Sequence, residues 1–137
     1  MLSHITVGIT DFDRAFAFYD ALMSELGYPM ADADPDTAWA FWRPADADRP
    51  LFIIGAPYDG RPHAAGNGQM VALLARDRAT VDRCHALALN RGATDEGAPG
   101  LRPHYHPHYY GAYFRDPDGN KLCVCCHQPE PEGSLDV

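Results

Sequence analysis

Near the end of the chain, thiol and imidazole side chains recur at alternate positions, at Cys123, Cys125 and His127. Alternate residues of a strand face the same side, and zinc prefers thiolate and imidazole ligands. Three consecutive same-face residues span about 13 Å, however, which is farther than one ion with bonds of about 2 Å can reach. The spacing therefore favours small apolar thiols packed in a central strand over a zinc site. A non-standard site that joins His4, Cys123 and a histidine from a loop stays open as an alternative.

A second group of candidate residues lies between positions 99 and 110, where imidazole and phenol groups alternate with prolines. If this segment is extended, His104, His106 and His108 share a face, again too widely spaced for one ion. Proline restricts the backbone, so the segment is either a rigid exposed loop or part of the wall of a binding pocket.

The elements that position these residues begin with a strand and a helix. Residues 3 to 9 alternate apolar with polar or small side chains, which predicts a strand with one buried face. Asp11 can accept hydrogen bonds from the first amides of a helix beginning near Phe12, and Gly27 ends that helix. The apolar face of the helix contains Phe12, Phe16, Tyr19, Met23 and Leu26, spaced three or four residues apart.

Short β-prone runs follow, rich in Trp, Phe and Ile and separated by turns such as Ala33-Asp34-Pro35-Asp36. They span residues 28–31, 37–43 and 51–55 and predict a meander. Residues 57–67 are rich in proline and glycine and show no periodicity, so we interpret them as a linker.

After the linker the same order of elements begins again. Met70 starts a predicted strand and Asp77 caps a predicted helix that ends at Gly92. Each lies 66 positions after its counterpart, since 70 − 4 = 66 for His4 and 77 − 11 = 66 for Asp11. Chance alignment of two α+β stretches is the alternative, but the shared offset favours an internal duplication.

Composition limits the classes of function. The chain has 137 residues, a net charge of −8 and 46% hydrophobic residues, as expected of one globular domain, here 1–127, followed by a flexible tail, 128–137. The negative charge argues against nucleic acid as a partner, and no apolar run reaches membrane-spanning length. Three clustered cysteines do not resemble a secreted disulfide framework, so we expect a cytoplasmic protein with reduced thiols.

The turn Arg115-Asp116-Pro117-Asp118-Gly119-Asn120 carries a resemblance to a known family. It follows a Gly-Ala-Tyr-Phe strand, and the opening pairs a histidine strand with a helix that contains Phe18-Tyr19. These features resemble the vicinal oxygen chelate superfamily, which includes glyoxalase I, extradiol dioxygenases, bleomycin- and fosfomycin-resistance proteins and methylmalonyl-CoA epimerase. The resemblance extends over roughly residues 1–127.

The resemblance implies an α+β fold built from paired βαβββ modules, about 1–56 and 68–127. They are expected to form a curved eight-stranded sheet with helices outside and a small-molecule cleft inside. It also implies a homodimer, and it places the histidine-rich segment at the mouth of the pocket. Arg102, His106 and Tyr110 are then the predicted contacts to an anionic or aromatic ligand.

Members of the superfamily bind a divalent metal through His or Gln near the start of each half and Glu at its end. These positions fall on His4, on Met70 or Gln69, on Cys123, and near Ile53. Only His4 is a family-like ligand, and Met70 is a soft, weak donor for Fe²⁺, Mn²⁺, Ni²⁺ or Zn²⁺. We therefore expect a metal site that is weak or absent, with His4 and Cys123 as the remaining candidate ligands.

Three functions follow from the resemblance, none with an assigned catalytic residue. The first is a small-molecule-binding protein related to lyases and dioxygenases, with a degraded metal site. The second is a metalloenzyme that uses His4 and non-standard donors on a substrate with vicinal oxygens. The third is a resistance-type protein that sequesters a drug.

Overall fold

A computed structural model describes residues 1–131 of the chain. Part of the predicted flexible tail, 128–137, therefore lies outside the described residues. Neither helix of the described part has the length and apolar character needed to cross a bilayer. The elements, in chain order, are β1 (His4–Gly8), α1 (Phe12–Leu26), β2 (Met30–Asp34), β3 (Trp39–Trp42), β4 (Leu51–Gly55), β5 (Val71–Leu74), α2 (Arg78–Asn90), β6 (Thr94–Leu101), β7 (Tyr110–Arg115) and β8 (Lys121–Cys126).

The two modules have the same strand topology. The first module forms a sheet in the order β1-β4-β3-β2, and the second forms a sheet in the order β5-β8-β7-β6. In each, the opening strand runs parallel to the last strand, and the remaining neighbours are antiparallel. The predicted fold class of paired βαβββ modules is therefore confirmed.

Both helices begin at the predicted caps. Asp11 accepts a hydrogen bond from the Arg14 amide at 3.2 Å, and Asp77 accepts one from the Thr80 amide at 2.7 Å. These bonds use amides that have no partner within the helix. Gly27 ends α1 in the left-handed conformation, with φ at 83°. The 66-residue offset thus marks equivalent positions in two copies of one unit.

The core lies between the sheets and the helices. Along each strand alternate side chains point at the helices, and these are apolar in both modules. α1 and α2 also contact each other, so one continuous core serves both modules. The largest fully buried side chains include Trp42, Tyr19, Phe18, Phe114, Ile9, Leu22, Met23, Ile54, Leu122, Val81 and Val124.

Side chains, rather than a strand ladder, join the two modules. The Asn120 side-chain amide donates to the Gly8 carbonyl at 2.8 Å, and the Tyr19 hydroxyl donates to the buried Asp116 carboxylate. Asp118 pairs with Arg14 at 3.1 Å. The eight described strands are consequently hydrogen-bonded as two four-stranded sheets, not as one continuous ladder.

Two strands differ from the sequence-based boundaries. β2 runs from Met30 to Asp34, so the strand includes residues 33 and 34, which were predicted to form a turn. The Asp34 carboxylate accepts a hydrogen bond from the Asp36 amide at 3.0 Å. β6, which contains Pro99, was not expected as a long strand. It lies at the edge of its sheet with register shifts near Gly97, where a proline and a bulge are tolerated.

Candidate functional site

Two adjoining cavities lie where the modules face each other. One, of about 480 Å³, is lined from the first module by Thr6 and Gly8 and from the linker by His63. The other, of about 590 Å³, lies on the second-module side and is lined by Tyr105, Tyr109, Tyr113 and Arg115. Both are lined by Gly68, Gln69, Met70 and Lys121, and together we call them the cleft.

Missing Cβ atoms let large side chains lie flat on the sheets of the cleft. A Cβ at Gly111 would stand 2.9 Å from the Tyr109 ring, and one at Gly8 would stand 2.3 Å from the His63 Nδ1. Both distances are shorter than real Cβ contacts, so only glycine permits these placements. The glycines are therefore part of how the cleft is built.

Two tyrosines and a cysteine form a hydrogen-bonded cluster on β7 and β8. The Tyr109 and Tyr113 hydroxyls share a hydrogen bond of 2.9 Å, and the Tyr109 hydroxyl lies 3.5 Å from the sulfur of the buried Cys123. Hydrogen bonds from Cys125, and then from the two tyrosines, lower the pKa of Cys123 to about 7 against the opposing effect of burial. Burial, with the hydrogen bonds to Tyr113 and Cys123, raises the pKa of Tyr109. Cys123 is thus the thiol that ionises most readily in this cluster.

A second chain of contacts runs toward the surface. His106 Nε2 lies 2.8 Å from His127 Nδ1, and His127 Nε2 lies 3.7 Å from the Cys125 sulfur. Because the two contacts use different nitrogens of His127, the three side chains do not surround one point. They form a relay of hydrogen bonds rather than a metal centre.

The cleft carries positive charge in an acidic protein. Arg102 and Lys121 lie over the Tyr113 ring, at 5.5 Å and 5.9 Å from its centroid. Arg115 is neutralised by Glu96, to which its Nε donates at 2.8 Å. Within residues 1–131, no Asp or Glu lines either cavity of the cleft.

The family's metal positions do not converge on suitable donors. His4 is exposed, with its Nδ1 2.9 Å from the Ser3 hydroxyl, while Ile53 has no donor atom. Met70 precedes β5, and Cys123 is buried against Tyr109. Nowhere in the described part of the chain are three or more His, Cys, Asp or Glu side chains grouped to hold an ion. This donor set does not fit Fe²⁺, Mn²⁺, Ni²⁺ or Zn²⁺.

The predicted ligand contacts are placed differently from one another. Arg102 lies over Tyr113, which lines the cleft, but Arg102 is not itself a lining residue of either cavity. His106 contacts His127 at the outer end of the same sheet. The Tyr110 hydroxyl donates to Asp82 of α2 at 2.6 Å, on the helix side of the sheet, and burial raises its pKa to about 12. The structure therefore places Arg102 next to a cleft residue and Tyr110 on the helix side of the sheet.

Several cleft residues were not predicted from the sequence. His63 reaches the cleft from the linker, and its Nε2 is buried without a hydrogen-bond partner in the described residues. Tyr113 was assigned to a strand but not to a site. Lys121 carried a usable signal, since it is the only lysine in the chain and follows the turn directly.

Another cavity, of about 460 Å³, shares Ile5 with the cleft and is lined by α1 and by strands of both modules. Its lining is mostly apolar and includes core residues such as Met23, Trp42, Phe52 and Leu73, with Arg43 and Asp46 as its charged members. A smaller part of its surface is polar than in the cleft, so the cleft is the better candidate site.

Comparisons with known proteins agree with this architecture. The sequence model of the Glyoxalase/Bleomycin resistance protein/Dioxygenase superfamily matches residues 1–124, so the chain belongs to that superfamily. A crystal structure of a glyoxalase/bleomycin resistance protein from Albidiferax ferrireducens T118 is 35% identical, with a TM-score of 0.81 over 92% of this chain and 98% of that chain.

Two more distant structures show the fold alone. A glyoxalase-related enzyme from Fulvimarina pelagi is 18% identical, with a TM-score of 0.69 over 98% of this chain and 93% of that one. Lactoylglutathione lyase from Agrobacterium tumefaciens is 22% identical, with a TM-score of 0.60 over 92% of each chain. No curated protein sequence matches the chain. The resemblance inferred from the turn and the repeat is confirmed.

Proposed function

We propose that this protein binds a small organic molecule in the cleft between its modules, without a divalent metal at the family's positions. The observation that carries the proposal is the pair of adjoining cavities, which share Gly68, Gln69, Met70 and Lys121 and are lined by both modules. Their volumes of about 480 Å³ and 590 Å³ are in the range of small-ligand sites.

The chemistry of the donor set supports a binding role over a metal-dependent one. Hard and borderline divalent ions bind through carboxylate and imidazole groups, whereas the equivalent positions include Ile53, Met70 and Cys123. Any reaction in the cleft would therefore depend on its own titratable groups, of which Cys123 and the tyrosines form the connected set. A lyase or dioxygenase that relies on a bound metal is the alternative.

A cleft-filling substitution tests the binding role. Met70→Trp enlarges a side chain that lines both cavities, and Met30→Trp is the matched control, because the two methionines are 44% and 46% exposed and Met30 lies on β2, outside the cleft. In a thermal-shift screen of small organic acids, phenols and sugars, we expect stabilising compounds for the wild type and Met30→Trp but not for Met70→Trp. Equal stabilisation of Met70→Trp, or no stabilising compound, would contradict the proposal.

Elemental analysis tests the metal-free part separately. Protein purified without chelators is expected to contain far less than one equivalent of Fe, Mn, Ni or Zn. A near-stoichiometric metal that is lost on His4→Ala would instead favour the metalloenzyme.

Two further properties are proposed. The four cysteines are all free and buried, which favours a reducing, cytoplasmic location.

Exposed apolar side chains, among them Leu2, Leu74 and Leu101, favour association into a homodimer. Light scattering coupled to size exclusion gives the mass in solution, and a monomer of 15.1 kDa would contradict the dimer.

A further inference from the structure

Two cations at or beside the cleft have no carboxylate partner among residues 1–131. Arg102 donates to the carbonyl oxygens of Leu101 and Ala98, at 3.4 Å and 2.8 Å, and these oxygens leave its charge uncompensated. Among the described residues, no carboxylate lies within 4.0 Å of the Lys121 amine. In a chain with 19 acidic and 11 basic residues, two unpaired cations beside one cavity are a specific feature of this site.

The two charges converge on one aromatic ring. The Arg102 guanidinium carbon and the Lys121 amine lie 5.5 Å and 5.9 Å from the centroid of Tyr113. A Cβ at Gly97 would press on both side chains, since it would stand 3.1 Å from Tyr113 and 3.3 Å from Arg102. Because neither charge is compensated by a carboxylate of the described residues, an anion beside this ring would be attracted by both cations.

Aromatic side chains continue the same wall. Tyr105 and Tyr109 lie with ring centroids 4.9 Å apart, and together with Tyr113 they line the cavity of about 590 Å³. Tyrosine rings bind planar ligands by stacking and edge contacts, and their hydroxyls can donate to an anionic oxygen. The wall therefore presents positive charge and aromatic ring surface next to each other.

We propose that this wall, formed by Arg102, Tyr109, Tyr113 and Lys121, binds a small aromatic anion. The ligand's ring packs against the tyrosines, and its anionic group is attracted by the guanidinium and the amine. The inference rests on the proposed function and narrows it, since it specifies which chemical class the cleft takes.

Lys121 makes the inference directly measurable. It is the only lysine, so reductive methylation with ¹³C-formaldehyde labels one side-chain amine and the N-terminal amine of Met1, and keeps the positive charge of both. The Lys121 methyl signal in an NMR spectrum then reports binding at the wall. Benzoate, benzamide and cyclohexanecarboxylate, at millimolar concentrations, separate the contributions of charge and aromatic ring.

We expect benzoate to shift the Lys121 signal and to bind roughly tenfold more tightly than benzamide or cyclohexanecarboxylate, a difference of about 1.4 kcal/mol. By calorimetry, Lys121→Met and Arg102→Met should each weaken benzoate binding by roughly tenfold. Arg91→Met, which removes an exposed cation at the end of α2, is the matched control and should change it by less than about twofold.

The outcomes separate the two proposals. If benzamide shifts the Lys121 signal and binds as tightly as benzoate, the cleft binds ligands but the anion is not what it recognises, so the inference fails and the proposed function stands. The inference also fails if the charge-removing variants bind benzoate like the wild type. If none of the three compounds moves the Lys121 signal, the inference is overturned, and the Met70→Trp screen decides the binding role separately.

Discussion

The helix-facing residues of the two modules are alike in character, whereas the residues on the opposite face of the two sheets differ. The registers Phe41 with Ile53 and Tyr113 with Cys123 define equivalent pairs in the two sheets. In the first module both residues of the pair are apolar, and Trp39 stacks on Phe41 with ring centroids 5.3 Å apart. In the second, the pair is a phenol and a thiol joined to a hydrogen-bonded cluster.

This difference shows which face of a duplicated sheet is free to change. Helix-facing positions such as Ile54 and Val124 are fully buried in the shared core, where a change of volume is costly. Positions on the opposite face lie outside that shared core, so their side chains can differ without disturbing its packing. The second module lines the cleft with tyrosines, Arg115 and Lys121, whereas the first module contributes Ile5, Thr6, Val7 and Gly8.

The largest effect on stability is expected at the turn between β7 and β8 of the second module. The buried Asp116 carboxylate accepts from the Tyr19 hydroxyl, from the amides of Asp118 and Asn120, both at 2.9 Å, and from the Asn120 side chain at 2.9 Å. Asp116→Ala leaves these donors unpaired and should lower the free energy of unfolding by about 3–5 kcal/mol. Urea denaturation measures it.

The corresponding turn of the first module supplies the control. Asp48→Ala removes a carboxylate that is 97% exposed and 4.0 Å from Arg43, and should change the free energy of unfolding by less than about 0.5 kcal/mol. Equal losses in Asp116→Ala and Asp48→Ala would show that the two turns do not differ as described.

From the helix side, the two modules should respond alike. Ile54→Ala in β4 and Leu122→Ala in β8 each remove a fully buried side chain from the shared core, and each should cost about 2–5 kcal/mol. Both unfolding transitions should stay single and cooperative by circular dichroism and fluorescence. Separate transitions for the two modules in either variant would argue against one core.

On the sheet face opposite the helices, substitutions in the two modules should change stability by different amounts. Gly111→Ala places a Cβ 2.9 Å from the Tyr109 ring, which must move, so we expect a loss of about 1–2 kcal/mol. Gly55→Ala at the first module's β4 meets nothing closer than 3.7 Å and is the matched control, with a change within about 0.5 kcal/mol. Chemical denaturation of the two variants distinguishes them, and a loss in Gly55→Ala as large as in Gly111→Ala would remove the asymmetry.

The smallest expected effect is on the ionisation of the cysteine thiols. Hydrogen bonds lower the pKa of Cys123 from 9.0 to about 7, so its thiolate should form as the pH rises through 7, while burial raises the pKa of Cys84 to about 12. Thiolate absorbance at 240 nm should therefore increase near pH 7 in the wild type and in Cys84→Ser but not in Cys123→Ser. An unchanged titration in Cys123→Ser would assign that ionisation elsewhere.

Local signals were sufficient to predict the order of the elements and their repetition, and the family resemblance supplied the fold. Asp11 and Asp77 are caps because their side chains satisfy helix amides, and that chemistry depends on near neighbours. The edge strand β6 was missed, because its proline and glycines oppose strand propensity and its pairing with β7 is a tertiary contact. Sequence periodicity therefore predicted the order of elements better than their limits.

The site was less predictable, because its residues meet only after folding. Arg102 was selected from a polar segment and contacts Tyr113, which lines the cleft, whereas Tyr110 contacts α2. Successive residues of a strand face opposite sides. Knowledge that β7 begins at Tyr110 would therefore have placed that side chain on the helix side. His63 comes from a linker with no periodicity, so nothing local indicated that it would lie on Gly8.

An NMR titration that follows both modules at once tests whether the ligand binds at the second module. The ¹³C-methyl signal of Lys121 reports the second module, and the indole N–H signal of Trp39 reports the face of the first module's sheet that is turned away from the helices. Addition of benzoate is predicted to shift the Lys121 signal with saturation while the Trp39 signal stays in place. A saturating shift of the Trp39 signal with the Lys121 signal unmoved would contradict this prediction, because the ligand would then bind at the first module.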